Sequence, residues 1–226
     1  MKSELETPIA IEGLKLIVPL AFLTLVFFVC GWRIAGGLAL VVTMFMLFFF
    51  RNPRRPVPRG DHLVVSPADG KVVAVKDVRE DMYLHQDVKR ISIFLSVFNV
   101  HVNCAPINGT VESVRYNPGR FHVAAVEKAS LENEQTAMVI AEGQTKILVK
   151  QIAGILARRI ICYANPGDIV EKGDRYGLIC FGSRVDIFLP ENSEIRVKAG
   201  DRVKGAKDII AVLRQEETTT ETMKIR

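Results

Sequence analysis

A chain of 226 residues with 30 Lys and Arg against 25 Asp and Glu carries a formal charge of +5, and 49% of it is hydrophobic. That composition excludes an acidic disordered protein and leaves enough chain for one domain with its own core beside a membrane segment. Four cysteines without CxxC spacing fit a reducing cytoplasm and give no zinc framework, and no basic stripe interleaved with aromatics points to nucleic acid.

The first element is an apolar pair. Leu16 to Trp32 and Ile34 to Phe50 are uncharged runs of 17 residues each, separated by Arg33 alone. As helices each would be about 25 Å long, slightly short of a hydrocarbon core of about 30 Å, so two thin spans and a re-entrant hairpin both fit. Gly31, Trp32 and Arg33 supply the turn. Arg51, Arg54, Arg55 and Arg59 follow the second run and mark that end as cytoplasmic. A cleaved signal peptide is the competing reading; the length of the run, its downstream basic cluster and the lack of a small-residue cleavage site oppose it. Residues 1–50 are therefore expected to be a helical membrane anchor. Its three basic and three acidic residues cancel, which leaves the whole positive excess on the remainder, suited to an anionic membrane.

Residues 51–62 read as a basic, Pro-rich hinge. Beyond it, short β-branched runs alternate with Gly, Pro, Asn and Asp, and predict strands at 63–65, 71–78, 90–98, 110–116, 136–141, 146–152, 159–163, 178–181, 185–189, 194–197 and 209–213. The expected fold is mainly β, a barrel or sandwich over 63–213, with a disordered Thr- and Glu-rich tail at 214–226. Two internal echoes support repeated hairpins: Pro67-Ala68-Asp69-Gly70-Lys71-Val72 with Pro106-Ile107-Asn108-Gly109-Thr110-Val111, and Gly167-Asp168-Ile169-Val170 with Gly200-Asp201-Arg202-Val203. The Gly-Asp-x-Val units are similar to lipoyl and biotinyl carrier domains, although no carrier lysine stands at the expected hairpin tip.

Three places combine reactive groups with a backbone able to expose them. Asp69 lies between Ala68 and Gly70, where turn formation is its plainest role. His101 follows the apolar run 91–97, where an imidazole is either hydrogen-bonded scenery or a general base. Gly182-Ser183 sits inside an apolar run, and glycine there marks a bulge or a close backbone approach. Together an Asp, a His and a Ser match the parts needed to activate a serine hydroxyl.

These segments carry a resemblance. Asn52-Pro53-x-Arg55, Ser66-Pro67-Ala68-Asp69-Gly70, Asn99-Val100-His101-Val102-Asn103-x-Ala105-Pro106, Glu132-Asn133-Glu134, Ala157-Arg158-Arg159-Ile160 and Phe181-Gly182-Ser183-Arg184 resemble, in order, the short membrane-anchored form of phosphatidylserine decarboxylase. The resemblance implies a proenzyme that cuts itself between Gly182 and Ser183, giving a β chain to 182 and an α chain from 183 that stay associated. It implies that Ser183 becomes a covalent pyruvoyl group, the enzyme's only cofactor, which forms a Schiff base with phosphatidylserine and releases carbon dioxide to leave phosphatidylethanolamine. His101 would act as base and acid, with Asp69 orienting it, and no metal would be involved. Arg184 and Asn103 are the expected substrate contacts, and a homo-oligomer is allowed.

The chain departs from long bacterial members, which carry two histidines in the His101 segment and Leu-Gly-Ser-Thr at the cut. Two other readings stand beside this one: a non-catalytic lipoyl-like membrane adaptor, and a membrane-bound serine hydrolase in which Ser183 stays a serine.

Overall fold

The computed structural model describes residues 7–119, 133–154, 160–180 and 182–214. Two apolar helices open it, α1 (Ile11–Val29) and α2 (Arg33–Phe49). They are joined through Gly31, whose φ of +80° suits only glycine without strain. The Thr24 and Thr43 hydroxyls meet at 3.2 Å between the helices, and each donates to the carbonyl four residues earlier. Polar groups so placed are satisfied inside the hairpin rather than in lipid. At 19 residues, α1 is long and apolar enough to cross a membrane; α2, at 17, is shorter. The first helix begins earlier than the uncharged run because Glu12, in its first turn, is neutralised by Arg175 at 2.7 Å.

The rest is β. The strands are β1 (Leu63–Val65), β2 (Gly70–Glu80), β3 (Gln86–Leu95), β4 (Val102–Cys104), β5 (Gly109–Asn117), β6 (Gln135–Glu142), β7 (Thr145–Ile152), β8 (Ile160–Cys162), β9 (Ile169–Val170), β10 (Arg175–Ile179), β11 (Ser183–Pro190), β12 (Glu194–Ile195), β13 (Arg202–Val203) and β14 (Ile209–Val212). Eight form one antiparallel sheet in the order β13-β2-β3-β11-β7-β6-β5-β9, curled like half a barrel. Two three-stranded sheets, β1-β14-β12 and β4-β10-β8, complete the body. Alternation divides β11: Val185, Ile187 and Leu189 enter the main core with Ile91, Ile93 and Leu95, whereas Phe188 packs on the other face with Val88 and Leu148.

The echoes seen in the sequence are two copies of one backbone unit. In the first, β13 pairs with the start of β2, Arg202 opposite Lys71 and Val203 opposite Gly70; in the second, β9 pairs with the start of β5, Ile169 opposite Thr110 and Val170 opposite Gly109. Val72 N donates to Asp201 O as Val111 N donates to Asp168 O, both at 2.8 Å. Glycine is required at both strand starts, because a Cβ would lie 2.3 Å from Phe94 O at Gly70 and 2.4 Å from Ala141 O at Gly109. The copies extend upstream: β1 pairs with β14 as β4 pairs with β10, and the carbonyls of His62 and His101 accept from Leu213 N and Ile179 N.

Two of the predicted segments that differ from the structure border the site. The run expected as strand 90–98 ends at Leu95, where Ser96 N and Oγ donate to Asn99 Oδ1 and close a turn. The run expected at 178–181 begins at Arg175 and stops at Ile179, and Gly182, with φ +58°, turns the chain before β11 begins at Ser183.

The hairpin is seated on the β body. Ala10, Ile17, Phe49, Phe50 and Leu178 form a separate apolar cluster, and Ala10 N donates to Phe50 O and Asn52 N to Pro8 O. Burying each ring contributes roughly 2–3 kcal/mol.

A Cβ on Gly177, in β10, would stand 2.1 Å from Ile161 O, whereas one on Gly37 meets nothing within 4 Å. Gly177→Ala is expected to destabilise the detergent-solubilised protein by about 1–3 kcal/mol, and Gly37→Ala to be neutral or stabilising by up to about 1 kcal/mol. Thermal unfolding midpoints check the opposite signs.

Candidate active site

Ser183 opens β11 opposite Leu95 of β3. Its neighbour Gly182 holds a left-handed φ that costs an ordinary residue about 1–2 kcal/mol, yet a Cβ there would meet nothing within 4 Å. Glycine is thus needed at 182 for conformation and not for space. The Ser183 side chain is fully buried and its Oγ has no hydrogen-bond partner among the described residues. A buried hydroxyl left so costs about 1–3 kcal/mol, and such exceptions call for an explanation.

His101 lies just before β4. Its carbonyl accepts from Ile179 N at 3.3 Å, which sets it beside the strand that ends four residues before Ser183. The imidazole is 2% exposed, neither nitrogen makes a hydrogen bond of normal geometry among the described residues, and the ring stacks on Phe49 with centroids 4.1 Å apart. Burial pushes its pKa down to about 4, against the Asn99 backbone carbonyl, which raises it; the Arg51 charge acts with burial and Asp69 against it. The ring is therefore neutral at pH 7 and free to take a proton.

Asp69 is held elsewhere. Arg55 donates to both carboxylate oxygens, Nη1 to Oδ1 and Nη2 to Oδ2, and Gly205 N donates to Oδ1 at 2.8 Å. Arg55 Nη1 also reaches Gly205 O at 2.8 Å. The carboxylate is not hydrogen-bonded to His101 and acts on it through charge. In the second copy of the repeat, Asn108 Oδ1 accepts from Lys172 N at 2.8 Å as Asp69 Oδ1 accepts from Gly205 N. The turn needs only that oxygen. The negative charge is peculiar to Asp69, and Arg55 is its counterion.

Asn103 is fully buried. Its Oδ1 accepts from Gln151 Nε2 at 2.8 Å, while its Nδ2 and Gln151 Oε1 have no partner among the described residues. Gln151 stands opposite Val185 in β7, on the core face that Ser183 shares, so this amide pair links β4 to the strand of the serine. Arg184 is placed differently from the expectation of a substrate contact. Alternation turns it to the face opposite Ser183, where it is 2% exposed and donates to Asp186 at 2.6 and 3.0 Å and to Ser92 Oγ at 2.8 Å. Of the expected Glu132-Asn133-Glu134 segment, Glu132 lies outside the described residues; Asn133 Nδ2 donates to Ala153 O at 2.7 Å and Glu134 O accepts from Ala153 N, which braces the end of β7. Phe181 and residues 157–159 also lie outside the described residues.

A cleft of about 660 Å³ lies beneath the hinge between Pro53, Val57 and residues 168–175. Val102 and Cys104 line it, so it faces the side of β4 away from His101 and Asn103. Among the described residues, no group of three or more His, Cys, Asp or Glu could hold a metal ion.

Three participants escaped the sequence reading as parts of the site. Gln151 was visible only as a polar residue at a core position of an apolar strand. Arg55 stood in a motif without a partner to read. Phe49 was one apolar residue among many.

The comparisons agree on one family. A family model described as phosphatidylserine decarboxylase matches residues 42–211. Proteins named phosphatidylserine decarboxylase proenzyme are similar to this chain: that of Geotalea uraniireducens is 45% identical over 208 residues, covering 92% of the chain and 97% of the relative. That of Syntrophotalea carbinolica is 48% identical over 208 residues with the same coverage, and that of Ralstonia pickettii 49% over 175 residues, covering 76% and 80%.

Two measurements follow from this geometry. Arg55→Met leaves the Asp69 charge half-satisfied and should cost about 3 kcal/mol, while Arg55→Met with Asp69→Asn should regain most of that loss, since Asn108 shows that an amide serves the turn; chemical denaturation reads both. Because the folded pKa of His101, about 4, lies below the unfolded value, its neutral form contributes stability that is complete above pH 6.5 and is lost as pH falls toward 4. The contribution is on the order of 3 kcal/mol, and His101→Phe should flatten that part of the stability–pH curve.

Proposed function

The chain belongs to the phosphatidylserine decarboxylase family and is an enzyme with that activity, and we propose that it reaches its working form by cutting itself between Gly182 and Ser183. The observation that carries the proposal is the Ser183 hydroxyl, buried without a partner immediately after a left-handed glycine. A nucleophile so enclosed cannot reach a peptide of another molecule, which disfavours the serine hydrolase reading. Its own peptide is within reach, and an adaptor would have no need to leave it unpaired.

Ser183 Oγ attacks the Gly182 carbonyl carbon and its proton passes to neutral His101. The C–N bond breaks as the ester forms, and the freed nitrogen of Ser183 takes a proton. Loss of the Ser183 α-proton then expels the Gly182 carboxylate, and water displaces the nitrogen as ammonia, leaving a pyruvoyl group at the head of residues 183–226. The site fits this product: it grows from Ser183 itself, and no separate ligand has to be bound. Once formed, that group supplies a carbonyl that takes up the substrate amine and accepts the electron pair released with carbon dioxide. Asp69 favours the protonated imidazole through its charge, against the burial that opposes it. His101 is the residue suited to return a proton to the product.

β11 is paired along eight positions with β3 and five with β7, so the two chains are held together after the cut. Residues 1–50 act as the membrane anchor and 63–213 as the catalytic domain, with the arginines after α2 setting that domain on the cytoplasmic face of an anionic bilayer. There the substrate keeps its acyl chains in the leaflet while its headgroup reaches the site.

Intact-mass analysis tests the cut. The wild-type chain should yield a 44-residue fragment, 183–226, with a blocked N-terminus. Ser183→Ala should remain whole and inactive. Reductive trapping with phosphatidylserine should label only that fragment; a folded wild-type chain that stays uncut, or label on a lysine elsewhere, would sink the proposal.

A further inference from the structure

We propose that Phe49, the last residue of α2, is a positioning residue of the catalytic centre: its ring is the wall that holds the His101 imidazole, which makes the membrane hairpin a working part of the site. The inference rests on the reading of His101 as the proton carrier in Gly182–Ser183 cleavage, and deepens it.

Packing orients this imidazole more than hydrogen bonding does. The Asn99 backbone carbonyl lies near enough to favour its protonated form, yet neither ring nitrogen makes a hydrogen bond of normal geometry among the described residues, and the close ring contact is Phe49, 4.1 Å between centroids with planes 30° apart. Phe49 is itself immobilised. It is fully buried, Phe50 meets it edge-on at 5.0 Å and Phe45 at 6.2 Å. The hairpin root beneath it is fixed to the β body by Glu12 on Arg175 at 2.7 Å and by Arg51 Nη2 on Phe98 O at 2.8 Å.

The fold contains its own control. His62 occupies the same place as His101 in the other copy of the repeat, with its carbonyl bonded to the matching strand, yet His62 is exposed. The local backbone therefore does not bury a histidine here. Phe49 covers one of the two. The charges facing His101 are Arg51, from the end of the hairpin, and Asp69, from the turn before β2, itself paired with Arg55. An aromatic face in this position excludes water from the neutral base and presents its negative face to the imidazolium that forms when the proton arrives.

The test uses the full chain in detergent micelles. In a Ser183→Ala background, which needs no cleavage, ¹³C-labelled His101 is titrated by NMR with Phe49 intact, with Phe49→Ala and with Phe49→Leu. Phe49→Ala should raise the His101 midpoint by at least about one unit toward the free value of about 6.5. Phe49→Leu, which preserves the apolar seat should the alanine variant fail to fold, should move it the same way by less. In the Ser183 chain, both should slow appearance of the 183–226 fragment, the alanine variant by about tenfold or more, a loss of about 1.4 kcal/mol in transition-state stabilisation. Phe28→Ala, which loosens the hairpin where Phe28 packs on Gly36, should change neither readout. Unchanged His101 titration in both Phe49 variants, or cleavage at the parental rate, overturns the inference. A parental chain that never cuts overturns the cleavage reading instead, and is told apart because the titration stands without it.

Discussion

β11 is hydrogen-bonded on both sides, to β3 and to β7, and the placing of the site depends on that double pairing. It fixes Ser183 at the mouth of a strand that cannot slide. A slip of one residue would send Ser183 to the outer face and drive the Arg184 guanidinium into the main core. The other face is equally committed, since Arg184, Asp186 and Ser92 satisfy one another in a region where Asp186 is fully buried. An unpaired charge there would cost several kcal/mol. The ladder ends abruptly at Gly182, whose left-handed backbone breaks the run between β10 and β11. Rigid pairing on one side of the 182–183 bond and a permissive residue on the other is the arrangement an intramolecular attack requires.

The second constraint comes from the membrane side. Phe49 and Arg55 are six residues apart, and they reach His101 and Asp69: the first packs on the imidazole, the second clamps the carboxylate. Between them Arg51 reaches the carbonyl of Phe98, in the turn that leads to His101. The segment that leaves the hairpin is thus laid along the site rather than strung away from it, and Val57 lies so close to Gly173 that a Cβ there would be 2.5 Å away.

Local chemistry explains what was legible in the sequence. The apolar hairpin, the strand-rich body, the repeated turns and the Gly-Ser pair each rest on residues within about ten positions of one another, where periodicity and turn propensity act. The three-residue strand β4 was missed because its geometry comes from β10, more than 70 positions away. The face of Arg184 could not be read without knowing that β11 starts at Ser183, because alternation gives relative and not absolute orientation. Asp69 was readable as a turn residue, and that reading is correct as far as it goes. Its counterion, 14 residues upstream in the hinge, becomes visible only when the chain is folded.

The duplicated unit separates fold from function within one molecule. Both copies build a short strand, a turn closed by an Asx oxygen and a glycine pressed against a carbonyl. The first copy holds His62 in solvent and Asp69 against Arg55. The second holds His101 under Phe49 and Asn108 in the turn, so each copy lends the site one residue. Since backbone and hydrogen-bond pattern are shared, they cannot account for the difference in chemistry. What differs is a carboxylate in place of an amide in the first copy and an aromatic lid over the histidine in the second, both met by side chains from the Phe49–Arg55 stretch. A common scaffold thus places two histidines alike, and Phe49, at the end of the second apolar helix, buries one of them.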